Sequence, residues 1–223
     1  MGAVGVALAV RGASERGRRA AIWVFGLAVV SGLYLIVRGG WPILVVGLAS
    51  IGAAIWYTAG RYSLAALGLA DLFVFVFFGP VAVGGTYYVQ ALSLPMEVLV
   101  AGAGPGLLSI AILLVNSVRD VGEDRAASKR TLVVRFGRRF GVVAYGACVI
   151  GALLLAVLLA GGLLGTTDAH PWAAAPLALL PLAVQPIRTM ASTTDPERLN
   201  PLLGATGRLL LLWAVLFSIG WNL

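Results

Sequence analysis

Charged residues are scarce in this chain. They make up 11% of its 223 residues, whereas hydrophobic residues make up 60%. A soluble domain carries about 25% charged residues, so a soluble enzyme or binding module is excluded. There is one cysteine, Cys148, which excludes a disulfide framework or a cysteine-based metal site within one chain. The one histidine, His170, precedes Pro171 in a predicted loop, where a surface residue is expected rather than a ligand.

In place of charge, the sequence has apolar runs long enough to cross a bilayer, which takes ~17–25 residues as a helix. Helices are expected because open strands would leave backbone groups unpaired in lipid. We therefore predict an all-α membrane protein that forms a single transmembrane domain over residues 1–223. Its seven predicted spans, of which the second and sixth are near the lower length limit, are Ala21–Val37, Trp41–Trp56, Leu72–Val89, Val98–Val115, Gly141–Leu164, Trp172–Ile187 and Leu202–Trp221.

The distribution of basic residues predicts how these spans are oriented. With seven spans, 15 of the 16 lysines and arginines fall on one side, and only Arg38 falls on the other. Because basic loops are retained in the cytoplasm, this asymmetry predicts a multi-pass protein of the cell membrane with a cytoplasmic N-terminus. It also indicates that the net charge of +7 reflects membrane topology and not a nucleic-acid partner.

The segment Asn116–Arg130 concentrates charge at the predicted cytoplasmic boundary. Asp120 and Asp124 are four residues apart, and Asn116 lies one turn earlier, so a helix continuing from the preceding span would place all three on one face. Two carboxylates and an amide oxygen suit Mg²⁺, which completes its shell with water and phosphate oxygens. Nearby cations would hold the rest of a diphosphate; they are Arg119, Lys129 and Arg130. The alternative is a solvated loop with salt bridges between successive turns.

Two further sets of residues have both a functional and a structural interpretation. Tyr57 and Arg61, at the predicted cytoplasmic end of the second span, could bind phosphate oxygens. They equally fit an interfacial aromatic belt with a cytoplasmic arginine. Asp71 opens the third span, and an acid entering a membrane segment suggests function. It could also lie at the interface, where the helix dipole favours a negative charge.

Two segments resemble one protein family, and the resemblance covers most of the chain. DLFVFVFFGPVAVGGTYYVQ and VNSVRDVGEDRAASKRTLVVRFG, in this order and spacing, resemble the 1,4-dihydroxy-2-naphthoate polyprenyltransferases. These form the menaquinone branch of the UbiA-type intramembrane prenyltransferases. The resemblance implies a nine-helix bundle in which Mg²⁺ and two Asp-rich motifs bind a polyprenyl diphosphate on the cytoplasmic side. The implied reaction transfers the polyprenyl group to 1,4-dihydroxy-2-naphthoate, with loss of the ring carboxylate, and gives demethylmenaquinone.

The resemblance also implies roles for individual residues. Asp120 and Asp124 match the catalytic metal ligands of the second motif, which Asn116 opens. Arg119, Lys129 and Arg130 would contact the diphosphate, and Tyr57 and Arg61 lie where related enzymes keep a tyrosine and a basic residue, as substrate-binding candidates. Asp71 would be a further catalytic acid near the aromatic acceptor.

The chain departs from the family pattern near its beginning. The first Asp-rich motif, of NDxxD type, is absent, and seven spans are predicted where the family has nine. We therefore expect an incomplete version of the bundle that lacks two N-terminal spans and is weakly active or inactive by itself. The alternatives are a truncated, non-catalytic membrane protein of the same fold and, with less support, a transporter subunit. Transporters carry ionisable residues at mid-membrane, and these spans have essentially none away from their ends.

Overall fold

A computed structural model describes residues 15–58, 64–127, 129–162 and 170–223, and these residues are helical throughout apart from short connections. The α-helices are α1 (Glu15–Gly39), α2 (Trp41–Thr58), α3 (Leu64–Leu67), α4 (Ala70–Val76), α5 (Ala82–Ala91), α6 (Met96–Arg119), α7 (Val121–Ala126), α8 (Leu132–Ala160), α9 (Leu180–Ser192) and α10 (Pro196–Trp221). A π-helical turn, Phe77–Val81, joins α4 to α5, and a 3₁₀ helix, Pro171–Leu179, leads into α9.

Five of the predicted spans are long and apolar enough to cross a membrane. They are Ile22–Gly39, Ala70–Ala91, Met96–Arg119, Leu132–Ala160 and Pro196–Trp221. The prediction of an all-helical membrane protein is therefore confirmed. The two spans predicted near the lower length limit are also helical, as α2 and as the 3₁₀ helix followed by α9, but they are shorter or less regular.

Contacts at the helix ends show that the 3₁₀–α9 segment also runs the full height of the bundle. Its beginning lies beside the end of α10, because the backbone of Gly220 packs directly on the carbonyl of Trp172. Its other end lies beside the beginning of α8, where Arg138 donates to the carbonyl of Met190 at 2.9 Å. The segment therefore makes one complete pass.

Helix α2 makes a complete pass as well. It begins next to Gly39, whose backbone approaches Val89 near the end of α5. Near its other end, the ring of Trp56 lies 5.9 Å from that of Phe73, in the first turns of α4. The described residues therefore form seven passes between two opposite ends of a bundle. We call the end that contains Asp71 and Asp120 the charged end, and the end that contains Gln90 and Trp221 the far end.

Backbone-to-backbone packing fixes the third pass against α6. A Cβ atom on Gly102 would lie 2.8 Å from Cα of Pro80, and one on Gly79 would lie 2.7 Å from the carbonyl oxygen of Gly102. Small residues at such crossings let membrane helices approach closely. The backbone of Gly79 is non-helical at φ −107° and ψ −107°, and Pro80 follows it, which accounts for the π turn between α4 and α5.

The core lies between α6, α8 and α10, where most fully buried side chains are found. Two polar contacts connect α8 to α10 inside it. Trp213 donates from Nε1 to the carbonyl of Ala152 at 2.9 Å. The hydroxyls of Tyr145 and Thr206 lie 2.9 Å apart, and Thr206 donates to the carbonyl of Leu202. Hydrogen bonds of this kind hold membrane helices together where no hydrophobic effect acts between them.

Helix α8 begins nine residues earlier than the span predicted from Gly141. The side chain of Thr131 caps it by accepting a hydrogen bond from the backbone nitrogen of Val134 at 3.3 Å. At Gly137 the backbone leaves helical geometry, with φ +84° and ψ 168°. The first turns of α8 therefore run at the charged end, and the apolar pass follows this kink.

Candidate functional site

The charged segment continues the helical ladder of α6, as the spacing of its carboxylates predicted. The backbone nitrogen of Asp120 donates to the carbonyl of Asn116 at 2.9 Å, and that of Asp124 donates to the carbonyl of Asp120 at 2.8 Å. Helix α6 itself ends at Arg119, and Asp120 forms a bend before the short helix α7. Asn116, Asp120 and Asp124 thus follow one another at intervals of one helical turn.

Arg119 forms a two-pronged ion pair with Asp120. Its Nε lies 2.6 Å from Oδ1 and its Nη2 lies 2.7 Å from Oδ2. These hydrogen bonds hold the pKa of the Asp120 carboxyl below its ordinary value, and the charge of nearby Lys129 acts in the same direction. The third guanidinium nitrogen, Nη1, donates to Oδ1 of Asn200 at 2.9 Å. The end of α6 is therefore tied to the first turns of α10.

Asp124 is buried, with 6% of its surface exposed, although it lies on a short helix at the boundary of the bundle. Its Oδ1 accepts a hydrogen bond from Nζ of Lys129 at 2.7 Å. The backbone nitrogen of Lys129 also donates to the carbonyl of Asp124, which closes the turn after α7. Burying a carboxylate is costly unless it is paired, and here Lys129 supplies the opposite charge.

The donor chemistry of this segment fits a hard divalent cation. Asp120 and Asp124 offer carboxylate oxygens, and Asn116 uses its amide nitrogen to donate to the carbonyl of Ile112 at 3.5 Å, which leaves the amide oxygen as a further donor to a metal. Among the described residues, no group of three or more histidine, cysteine or acidic side chains could hold a metal by itself. A metal here would therefore complete its shell with substrate oxygens and water, as Mg²⁺ characteristically does.

Asp71 lies at the same end of the bundle, in the first turn of α4. The loop between α3 and α4 packs against the loop between α7 and α8. In this contact the backbone of Gly68, at φ +75°, touches the carbonyl of Arg130. Asp71 is buried, and its Oδ1 finds no hydrogen-bond partner among the described residues. Buried polar atoms are nearly always paired, so an unpaired carboxylate oxygen indicates a place for a ligand.

Comparison with known proteins identifies the family. A profile of the UbiA prenyltransferase family matches residues 10–203. The chain belongs to this family.

Three similar bacterial proteins are each named 1,4-dihydroxy-2-naphthoate octaprenyltransferase. The chain is 42% identical to a 1,4-dihydroxy-2-naphthoate octaprenyltransferase of Haemophilus influenzae over 104 residues, which is 47% of the chain and 33% of the relative. It is 37% identical to the Escherichia coli protein of that name over 139 residues, 60% of the chain and 45% of the relative. It is 40% identical to the Mycobacterium tuberculosis protein of that name over 118 residues, which is 53% of the chain and 40% of the relative. The chain thus spans less than half the length of these relatives.

The structure shows less about the other residues that were predicted to bind the diphosphate, Arg130, Tyr57 and Arg61. Arg130 is exposed, and its backbone carbonyl contacts Gly68. The side chain of Tyr57 and all of Arg61 lie outside the described residues. Their predicted contacts with phosphate therefore stay predictions.

Two residues of the charged end were not anticipated from the sequence. Asn200 orients Arg119 from α10, and only its position in the first turns of the last helix associates it with this end. Arg138 donates to the carbonyls of Met190 and Thr193, which close the end of α9. A cation at this position also complements the negative end of the helix dipole. The sequence shows Arg138 only as one member of a basic run, so its role as a structural clamp could not be predicted.

Proposed function

We propose that this UbiA-family chain takes part in transferring a polyprenyl group from polyprenyl diphosphate to 1,4-dihydroxy-2-naphthoate, the step of menaquinone biosynthesis that gives demethylmenaquinone. The proposal is carried by Asp120 and buried Asp124, each paired with a cation, at the end of a membrane span. The names of the similar proteins supply the naphthoate acceptor and an octaprenyl donor. No observation favours a transporter.

The charged segment suits the binding of a diphosphate. Mg²⁺ held by Asp120 and Asp124, with Asn116 beside them, would neutralise the charge that develops on the departing diphosphate. Arg119 and Lys129 keep these carboxylates paired in the free protein. If a metal were held by these carboxylates, Arg119 and Lys129 would be available to contact phosphate oxygens, and each charge of the site would keep a partner.

The rest of the bundle suits the other requirements of the reaction. An allylic cation is quenched by water, so its formation needs an apolar surrounding, which membrane helices supply. Asp71, with its unpaired oxygen at the same end, would accept a hydrogen bond from a hydroxyl of the naphthoate. We further propose that residues 1–223 form one transmembrane domain with its charged end in the cytoplasm, where the naphthoate and the diphosphate group of the donor are accessible.

Binding of a polyprenyl diphosphate to the full chain in lipid nanodiscs, with and without Mg²⁺, tests the proposal. Binding should be measured before turnover, because one carboxylate pair provides only part of a metal shell. Wild-type chain should bind in a Mg²⁺-dependent manner, and Asp124→Asn should weaken binding at least about tenfold, the effect of one lost charge-assisted interaction. Glu123→Gln, which changes an exposed carboxylate of the same helix, is the matched control and should bind like wild type.

Two results would count against the proposal. Binding that is indifferent to Mg²⁺ and to Asp124→Asn would leave a non-catalytic protein of the same fold as the better account. Mg²⁺-dependent binding of polyprenyl diphosphate without any binding of 1,4-dihydroxy-2-naphthoate, in nanodiscs supplied with both, would remove the acceptor from the proposal. In the second case the diphosphate site would stand.

A further inference from the structure

A cavity of about 820 Å³ lies at the far end of the bundle, away from the carboxylate pair. It is formed by α5, by the first turns of α6 and by the last turns of α10. Pro105 and the almost fully buried Trp213 lie at its inner end, and Glu97 and Asn222 lie at its outer end. Pockets that bind small molecules commonly have volumes of ~300–1,000 Å³. The cavity therefore has the size of a binding site, and none of the residues assigned to the proposed reaction lines it.

One wall of the cavity is a ladder of aromatic rings on α10. The rings of Trp213 and Phe217 stack with centroids 4.8 Å apart, and those of Phe217 and Trp221 are 5.4 Å apart. The facing wall has small residues, among them Ala82 and Ala101. Flat rings opposite small side chains make a narrow apolar slot, which suits an extended hydrocarbon chain.

The outer end of the cavity is polar and contains a carboxylate. Glu97 lies in the first turn of α6, where the helix dipole favours it, and its side chain forms no hydrogen bond or ion pair within the described part of the chain. The rings of Tyr87 and Trp221 line the same region. A carboxylate and aromatic rings that line one cavity suit an ammonium group, through charge-assisted hydrogen bonds and cation–π attraction.

Among the described residues, one arginine donates a hydrogen bond to a residue that lines this cavity. Arg38, at the end of α1, donates from Nη2 to the backbone carbonyl of Gln90 at 3.3 Å, and Gln90 lines the cavity. It is the one basic residue that the charge pattern assigns to this side of the membrane. The apolar slot thus has one anion, Glu97, in its lining and one cation, Arg38, bonded to the backbone of a lining residue.

We propose that this cavity binds a membrane phospholipid whose headgroup ends in a primary ammonium, of the phosphatidylethanolamine class. The ammonium would pair with Glu97, the phosphate would face Arg38, and an acyl chain would lie along Trp213 and Phe217. The cavity takes the headgroup and the nearer part of the chain, and the remainder stays in the bilayer. An anionic lipid would be repelled by Glu97, and a quaternary ammonium has no N–H group to donate to it.

Lipid selectivity in nanodiscs tests this proposal independently of the prenyl-transfer reaction. The full chain is reconstituted with equal amounts of phosphatidylethanolamine, phosphatidylcholine and phosphatidylglycerol of the same chain length, and retained lipid is measured by native mass spectrometry. Wild type should retain phosphatidylethanolamine in preference to the other two. Glu97→Gln should lower its retention relative to phosphatidylcholine about tenfold, as expected for loss of one charge-assisted hydrogen bond.

Two matched variants separate the headgroup site from the slot. Ala214→Phe fills the slot and should reduce retention of every lipid, whereas Val215→Phe, on the exposed side of the same helix, should not. Glu123→Gln, which removes a carboxylate at the charged end, should keep the wild-type selectivity. The proposal is overturned if Glu97→Gln keeps the wild-type selectivity. It is also overturned if polyprenyl diphosphate is retained at this cavity in place of phosphatidylethanolamine.

Discussion

At the level of single residues, Asp120 shows how one contact sets the response of the charged end to pH. Its two carboxylate oxygens both accept from Arg119, which lowers the pKa of the carboxyl in the folded protein. A lowered folded-state pKa means that the ion pair stabilises the fold fully above the unfolded-state pKa of ~3.9. This stabilisation is lost as the pH falls through the lower folded-state pKa.

We expect this pH dependence to be visible in the stability of Asp120→Asn relative to wild type. Wild type should have the higher unfolding temperature at pH 7 and at pH 5, and the difference should close below about pH 4. The measurement is thermal unfolding in detergent between pH 3 and pH 7, with Glu123→Gln as a control that stays close to wild type throughout. A difference that is as large at pH 3 as at pH 7 would contradict the assignment of the pair.

The buried hydroxyls of Tyr145 and Thr206 make a second residue-level prediction. Thr206→Val removes the one hydrogen-bond partner that the Tyr145 hydroxyl has among the described residues, and a buried unsatisfied group costs about 1–3 kcal/mol. Tyr145→Phe should cost less, about 0.5–1.5 kcal/mol, because Thr206 still donates to the carbonyl of Leu202. Equilibrium unfolding in mixed micelles measures both. The opposite order of destabilisation would show that the hydroxyl pair is not formed.

At the level of helices, the contact between α6 and the π turn depends on the absence of side chains. Gly102→Ala would place Cβ 2.8 Å from Cα of Pro80, a backbone atom that cannot move aside. Overpacking of this kind costs about 1–3 kcal/mol. Gly85→Ala is the matched control, because no atom lies within 4 Å of its Cβ and alanine favours a helix by ~0.5–1 kcal/mol. Equal unfolding free energies for the two variants would contradict the close crossing.

The helices also show which parts of the fold could be read from the sequence. Hydrophobicity located the long passes, and the spacing of Asp120 and Asp124 predicted their succession on one helical ladder, because both patterns are local. The early start of α8 depends on a cap at Thr131 and a kink at Gly137, which a hydrophobic pattern does not register. The contacts of Asn200 and Arg138 join residues 81 and 52 positions apart, and only packing reveals them.

For the whole molecule, the contacts between helix ends and the distribution of charge lead to the same arrangement. Seven passes place the beginning of α4, the end of α6, the beginning of α8 and the beginning of α10 at one end of the bundle. The described part of that end includes Arg119, Arg130 and Arg138, whereas Arg38 lies at the far end, beside Gln90. A bundle with this charge difference should insert with its charged end in the cytoplasm.

Single cysteines report this orientation directly, because the chain has only Cys148 to remove. On a Cys148→Ser background, Gly122→Cys places a thiol on the exposed surface of α7, and Leu223→Cys places one beyond α10 at the far end. In intact cells, a membrane-impermeant maleimide should label Leu223→Cys and leave Gly122→Cys unmodified until the membrane is opened. The reverse pattern would put the carboxylate pair outside the cell. The carboxylate pair would then be separated from cytoplasmic substrates, and the proposed reaction could not be assigned to the charged end.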